Sequence, residues 1–141
     1  MNCSRTGNIA HGAGFAAMLL FTLAASAAET FDARAERARA LEDTPSGKAY
    51  QDAMWPLVEP FLAEMIKQCI ADDPKHDLRS FVWLVTVTSE GKVADSQVQP
   101  ETSVSKCFAQ GMQQAPFPMP PQEFAEDGLP LIFNMRLHPM N

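Results

Sequence analysis

Ser80–Thr88 reads S-F-V-W-L-V-T-V-T, a run rich in β-branched and aromatic residues with no charge, glycine or proline. That composition predicts a β-strand, because branched and aromatic side chains pack well on a pleated surface. Successive side chains alternate in direction, so Phe81, Trp83, Val85 and Val87 share one face while Val82, Leu84, Thr86 and Thr88 share the other. Ser89-Glu90-Gly91-Lys92 follows as a hairpin turn, with Gly91 free to take a positive φ. Lys92–Gln99 (K-V-A-D-S-Q-V-Q) returns as a second strand. Val93 and Val98 have opposite parity, which predicts a bulge near Asp95-Ser96.

Working outward from this hairpin, Lys48–Ile70 shows helical spacing. Met54, Val58, Phe61, Met65 and Cys69 form one stripe, widened by Leu62, Ile66 and Ile70. Pro56 and Pro60 predict either a kink or a stronger segment that begins with Pro60 in its first turn. Asp72-Asp73-Pro74 ends it. On the other side, Glu101–Met112 reads as a helix that Thr102 or Ser103 can cap, with Val104, Cys107, Phe108 and Gly111 on one side. Residues 116–121 (P-F-P-M-P-P) form an extended connector, since proline neither donates to a ladder nor continues a helix. Leu129–His138 is the last strand, with Leu131, Phe133, Met135 and Leu137 facing one way. The order helix, strand, strand, helix, strand predicts an α+β fold: a three-stranded antiparallel sheet with two helices on one face.

The chain has 141 residues, the length of one domain, and 46% hydrophobic with 20% charged residues excludes a disordered or collagen-like chain. A net charge of −6 argues against a nucleic-acid partner held by its phosphates and against anionic lipid. Residues 1–27 have the build of a signal peptide. Arg5 precedes the apolar run Phe15–Ala25, and Ala25-Ser26-Ala27 supplies the small residues that place cleavage before Ala28. The run is too short for a membrane anchor, which needs roughly 20 apolar residues, so no span is expected after cleavage. Residues 28–47 are expected as an N-terminal arm or frayed helix, and residues 48–141 as the folded domain. Within 28–47 only Phe31 and Leu41 have much to bury.

Cleavage also removes Cys3, leaving Cys69 and Cys107. In an oxidising compartment such a pair reads as a disulfide. Two cysteines without neighbouring histidines do not make a zinc site, and there is no C-x-x-C for dithiol chemistry. Other reactive-looking groups have plainer readings. Ser103-x-x-Lys106 lacks the companion elements of the serine enzymes that use that spacing, and reads as a helix cap with an exposed lysine. Asp72, Asp73, His76 and Asp77 lack calcium-loop spacing and read as a solvated loop. No catalytic residue, metal site or cofactor is assigned, and no enzyme activity is expected.

Residues 60–138 resemble the TonB C-terminal domain and its two-cysteine relatives of the AgmX/PglI C-terminal type. The resemblance rests on Val85–Val93 (V-T-V-T-S-E-G-K-V), on Gln97–Glu101, and on Cys107-Phe108 followed after eight residues by Phe117-Pro118-x-Pro120. Cys69 stands before the first strand, where those relatives keep their other cysteine. The resemblance implies the same α+β fold and a habit of pairing edge strands with partners. It implies a Gram-negative-type envelope, hence a periplasmic or secreted protein. It does not carry the energy-transducing role, because that needs an uncleaved anchor and a long proline-rich spacer. The expected function is therefore a protein-binding module for an envelope protein or a second copy of itself. The expected surface is the edge of the last strand at Leu131, Phe133, Asn134 and Arg136, where Pro130 partly blunts pairing. The Val82/Leu84 face is the next choice. The alternative is an exported inhibitor or immunity-type protein that blocks a toxin or hydrolase, for which an acidic cleft at the edge would speak.

Overall fold

The structure is a computed structural model that describes residues 28–75 and 77–138. The expected signal peptide lies outside the described residues, as does His76. Phe81–Val87 forms strand β1, Val93–Gln99 β2 and Leu129–Met135 β3, joined in one antiparallel sheet of order β2-β1-β3. The most apolar strand is therefore the central one, and β2 and β3 are both edges. The hairpin closes with the Thr88 N–H donating to the Lys92 carbonyl at 2.8 Å and the Gly91 N–H to the Thr88 carbonyl at 2.9 Å. Gly91 has φ +78°, and a Cβ there would lie 2.5 Å from the Phe117 carbonyl oxygen. Only glycine fits, for both reasons. The bulge falls closer to the turn than the parity of Val93 and Val98 predicts: Thr86 pairs with Asp95 and Val87 with Val93, leaving Ala94 unmatched. Asp95 is thereby opposite Thr86, and Val93 joins the core side.

Three helices are present among the described residues: α1 (Phe31–Glu42), α2 (Pro45–Asp72) and α3 (Ser103–Gly111). The helix-strand-strand-helix-strand order of the sequence reading holds from α2 onward. The Phe81/Trp83/Val85/Val87 face carries the main core, with α2 supplying Met54, Val58 and Cys69 and α3 supplying Val104 and Phe108. Trp83 is fully buried at its centre, with ring centroids 5.3 Å from Phe108 and 4.9 Å from Phe133. Its Nε1 donates to Ser96 Oγ at 2.7 Å, so the indole's polar atom is satisfied. The capping box of α3 forms between Thr102 and Ser105. Cys69 and Cys107 are joined across α2 and α3 with Cα atoms 5.7 Å apart. The connector after α3 buries Phe117, and the Tyr50 hydroxyl donates to the Pro118 carbonyl at 2.9 Å. Burial of that hydroxyl pushes its pKa up.

Two features go further than the sequence reading. First, α2 runs unbroken through both Pro56 and Pro60. The prolines stand four residues apart, hence on one side of the helix, and both are exposed. The carbonyls they leave without a helical partner belong to Asp52 and Pro56, which are exposed as well, so water can take over those bonds. Second, residues 31–42 are a packed helix on the opposite face of the sheet. Thr30 caps it by accepting from the Ala33 N–H at 3.2 Å. Ala35 and Ala38 are buried against Leu84 and Ile132, with Phe31 and Val82 at the margin. Small side chains three apart bring the helix backbone close to the sheet while giving little hydrophobic signal of their own. Arg34 is 4% exposed and pins the helix across two strands. Its Nη1 donates to Asp95 Oδ2, and its Nη2 to Thr86 Oγ1 at 3.0 Å. The Val82/Leu84 face is consequently covered, and Leu84 is fully buried.

Candidate partner-binding edge

β3 pairs with β1 through Phe81↔Met135, Trp83↔Phe133, Leu84↔Ile132 and Val85↔Leu131. In an antiparallel ladder, alternate residues direct their N–H and C=O groups to the neighbour and away from it. The Ile132 N–H does not go to β1: it donates to Glu42 Oε1 of α1 at 3.2 Å. Ile132 therefore belongs to the outward set, together with Pro130 and Asn134, while Leu129, Leu131, Phe133 and Met135 bond β1. Of the outward set, Pro130 has no N–H, Ile132 donates to Glu42, and Asn134 is exposed.

The expected binding residues divide accordingly. Leu131 and Phe133 are 2% and 4% exposed, within the main core. Their side chains support the edge from beneath. Asn134 and Arg136 are exposed and line a cavity of about 250 Å³ at the end of the sheet, shared with Ser80, Val82 and Gln99. Beside the edge stands Trp55 of α2, 42% exposed, packed edge-on against Phe133 with centroids 5.8 Å apart and an interplanar angle of 78°. Sequence reasoning did not single out Trp55. Its position beside the Met54/Val58 stripe, without belonging to it, was the available signal. Glu42 carried none, because its partner is 90 positions away.

The Glu42 carboxyl has its pKa raised. Burial against the sheet is the main cause and the nearby Asp43 charge adds to it, while the Ile132 N–H, Arg39 and the Gln51 side chain oppose the shift. The acidic loop after α2 is organised by its own backbone. Asp73 is 4% exposed, and its carboxylate accepts from the Asp77 N–H at 2.7 Å and the Lys75 N–H at 3.3 Å. Asp77 in turn pairs with Arg79 at 2.8 Å, which holds its carboxyl below the usual range. In the S-x-x-K stretch, Ser105 accepts from the Thr102 N–H at 2.7 Å and donates to the Pro100 carbonyl, while Lys106 is exposed. Among the described residues, no three of His, Cys, Asp and Glu stand together as a metal site. No described helix is long and apolar enough to cross a membrane. No protein-family model matches the chain, and no curated protein matches its sequence.

Proposed function

We propose that this protein is an exported, periplasmic protein-binding module of the TonB C-terminal type that pairs its β3 edge with a strand of an envelope protein. The single observation that carries the proposal is Trp55, an exposed aromatic packed on Phe133 beside a sheet edge whose Asn134 N–H points outward. Large aromatics beside an unpaired edge supply the anchor that main-chain bonds alone lack. The Cys69–Cys107 bridge supports an oxidising compartment, and with it the reading of residues 1–27 as a signal peptide. Trp55, Asn134 and Arg136 stand at the edge beside the Glu42 carboxylate, a mixed set of side chains that favours strand pairing over the inhibitor reading.

The test is a comparison of variants by affinity capture from envelope extracts. Asn134→Pro removes an outward donor at the same parity as Pro130, which β3 already accommodates. Trp55→Ala removes the anchor, and Met119→Ala, at a residue 74% exposed, serves as control. The expected result is one protein captured by the wild type and by Met119→Ala and lost from the other two. Identical capture by all four, with the fold intact by circular dichroism, refutes the proposal.

A further inference from the structure

We propose that the Cys69–Cys107 bridge is a one-sided thiol-exchange site: a small external thiol adds to Cys107, and the acidic end of α2 slows that addition. A cavity of about 150 Å³ opens beside the bridge, lined by both cysteines, Ser103, Lys75 and the acid pair Asp72 and Asp73. Cys69, in the last turn of α2, is 1% exposed and belongs to the main core. Cys107, one turn into α3 beyond Ser103, is half-buried at the margin of that core. Helix side chains lean towards the N-terminus, so that of Cys107 lies over the Ser103 turn, which lines the cavity.

Exchange proceeds by attack of a thiolate on one sulfur, in line with the bond to the other. On Cys107 the approach comes from the side turned away from Cys69, where the half-buried residue meets the cavity. On Cys69 it would come from the side turned away from Cys107, and for a residue 1% exposed that side is packed core. In the permitted step a bond forms between the incoming sulfur and Cys107 Sγ while the Cys69–Cys107 bond breaks. Cys69 leaves with the electron pair as a thiolate and takes a proton from water. One disulfide replaces another, so no further oxidant or reductant enters. The leaving thiolate forms in an unfavourable place. The carbonyl end of α2 carries partial negative charge, and no basic residue stands in its last turn. Asp72 and Asp73 add full charges at the cavity, which Lys75 offsets only in part. Asp73 has a second task, accepting from the Lys75 and Asp77 N–H groups, whereas Asp72 is exposed. An acid on the last residue of a helix opposes the helix dipole, so helix stability does not account for Asp72. Its charge makes Cys69 harder to expel and repels an anionic thiol at the mouth of the cavity.

The test uses exported protein that begins at Ala28 and so lacks Cys3. It is treated with β-mercaptoethanol, which is neutral, or with mercaptoethanesulfonate, which is anionic. Freed thiols are capped with N-ethylmaleimide, and the adducts are located by peptide mass spectrometry. The expected product carries the small thiol on Cys107 and the maleimide on Cys69. Small-thiol adducts on Cys69, or on both cysteines equally, overturn one-sided entry. Absence of any adduct below the thiol concentration that unfolds the protein overturns the site itself. Rates of adduct formation then test the acidic end of α2. Asp72→Asn is expected to react several-fold faster than the wild type with both thiols, with the larger gain for mercaptoethanesulfonate. Added salt should narrow that difference between the thiols. Glu90→Gln removes the same charge from the exposed hairpin turn and is expected to react as the wild type does. Equal rates for the wild type and Asp72→Asn, or the same acceleration in Glu90→Gln, overturn the guarding role of Asp72.

Discussion

Burial of the Glu42 carboxyl against the sheet raises its pKa, and the sign of that shift makes a prediction about stability. A carboxyl whose folded value exceeds its unfolded one binds more protons when folded. Its favourable contribution is therefore complete below the ordinary value near 4.5 and is lost as the pH rises through the raised folded value. At neutral pH the charged group carries a desolvation cost that Glu42→Gln does not. Glu42→Gln is therefore expected to be more stable than the wild type at pH 7, with the difference vanishing at about pH 4. Urea denaturation of both proteins across that range checks it, and a difference that grows towards acid contradicts it. The amide of the Glu42→Gln variant retains a carbonyl oxygen for the Ile132 N–H, so this substitution separates charge from hydrogen bonding. Arg34 poses the converse case: a buried guanidinium paired with Asp95, which is itself largely exposed. Nothing local distinguishes Arg34 from Arg37 or Arg39, which are exposed. The sheet selects it by position.

Among the elements, α1 turns on the size of two alanines. Ala38 is fully buried between the helix and the β1–β3 pair, with no room for a longer side chain unless the helix backs away from Leu84 and Ile132. Ala38→Leu is expected to destabilise the protein by about 1–3 kcal/mol, the usual cost of overpacking. Exposure of Leu84 should follow, read as faster amide exchange at Leu84 and Ile132. Undiminished stability would mean that α1 rests on the sheet loosely. The strands follow the same logic with a different outcome. β1 is apolar on both faces because both are covered, the first by α2 and α3 and the second by α1. The alternation of Ser80–Thr88 showed which residues share a face. The Val82/Leu84 face needed a cover, and its cover came from a stretch whose alanines and arginines read as an arm or frayed helix.

For the whole molecule, the disulfide ties together two helices that share one face of the sheet. The bridge closes a span of 38 positions, for which loss of loop entropy in the unfolded chain is worth roughly 4 kcal/mol. That is a large part of the stability available to a single domain of this size. Cys69→Ala or Cys107→Ala is expected to cost about 2–5 kcal/mol by thermal or chemical denaturation. Exported protein that begins at Ala28, and so no longer carries Cys3, should also react with a thiol reagent only after reduction. An unchanged midpoint in the Cys→Ala variants would show that the α2–α3 contact is sufficient alone. That contact is close in its own right, since a Cβ on Gly111 of α3 would lie 2.0 Å from the Met65 sulfur of α2.

The sequence by itself determined the three strands, the turn at Gly91, the apolar stripes of α2 and α3, and the cysteine pair. These follow from properties that the residues carry in themselves: side-chain direction along a strand, the 3.6-residue turn of a helix, the φ freedom of glycine, and two cysteines that each fall on the apolar stripe of a helix. Only the tertiary structure decided that α1 packs on the second face, that Leu131 and Phe133 belong to the core, and that Glu42 meets Ile132. Each of these depends on which distant surfaces are brought together. A small alanine surface becomes a close-packed interface only when an apolar sheet face lies opposite it. An exposed-looking glutamate becomes the acceptor for an edge strand only when folding removes the 90 positions between them. Contacts of that separation are made by the packing of whole elements, and no local pattern of residues records them.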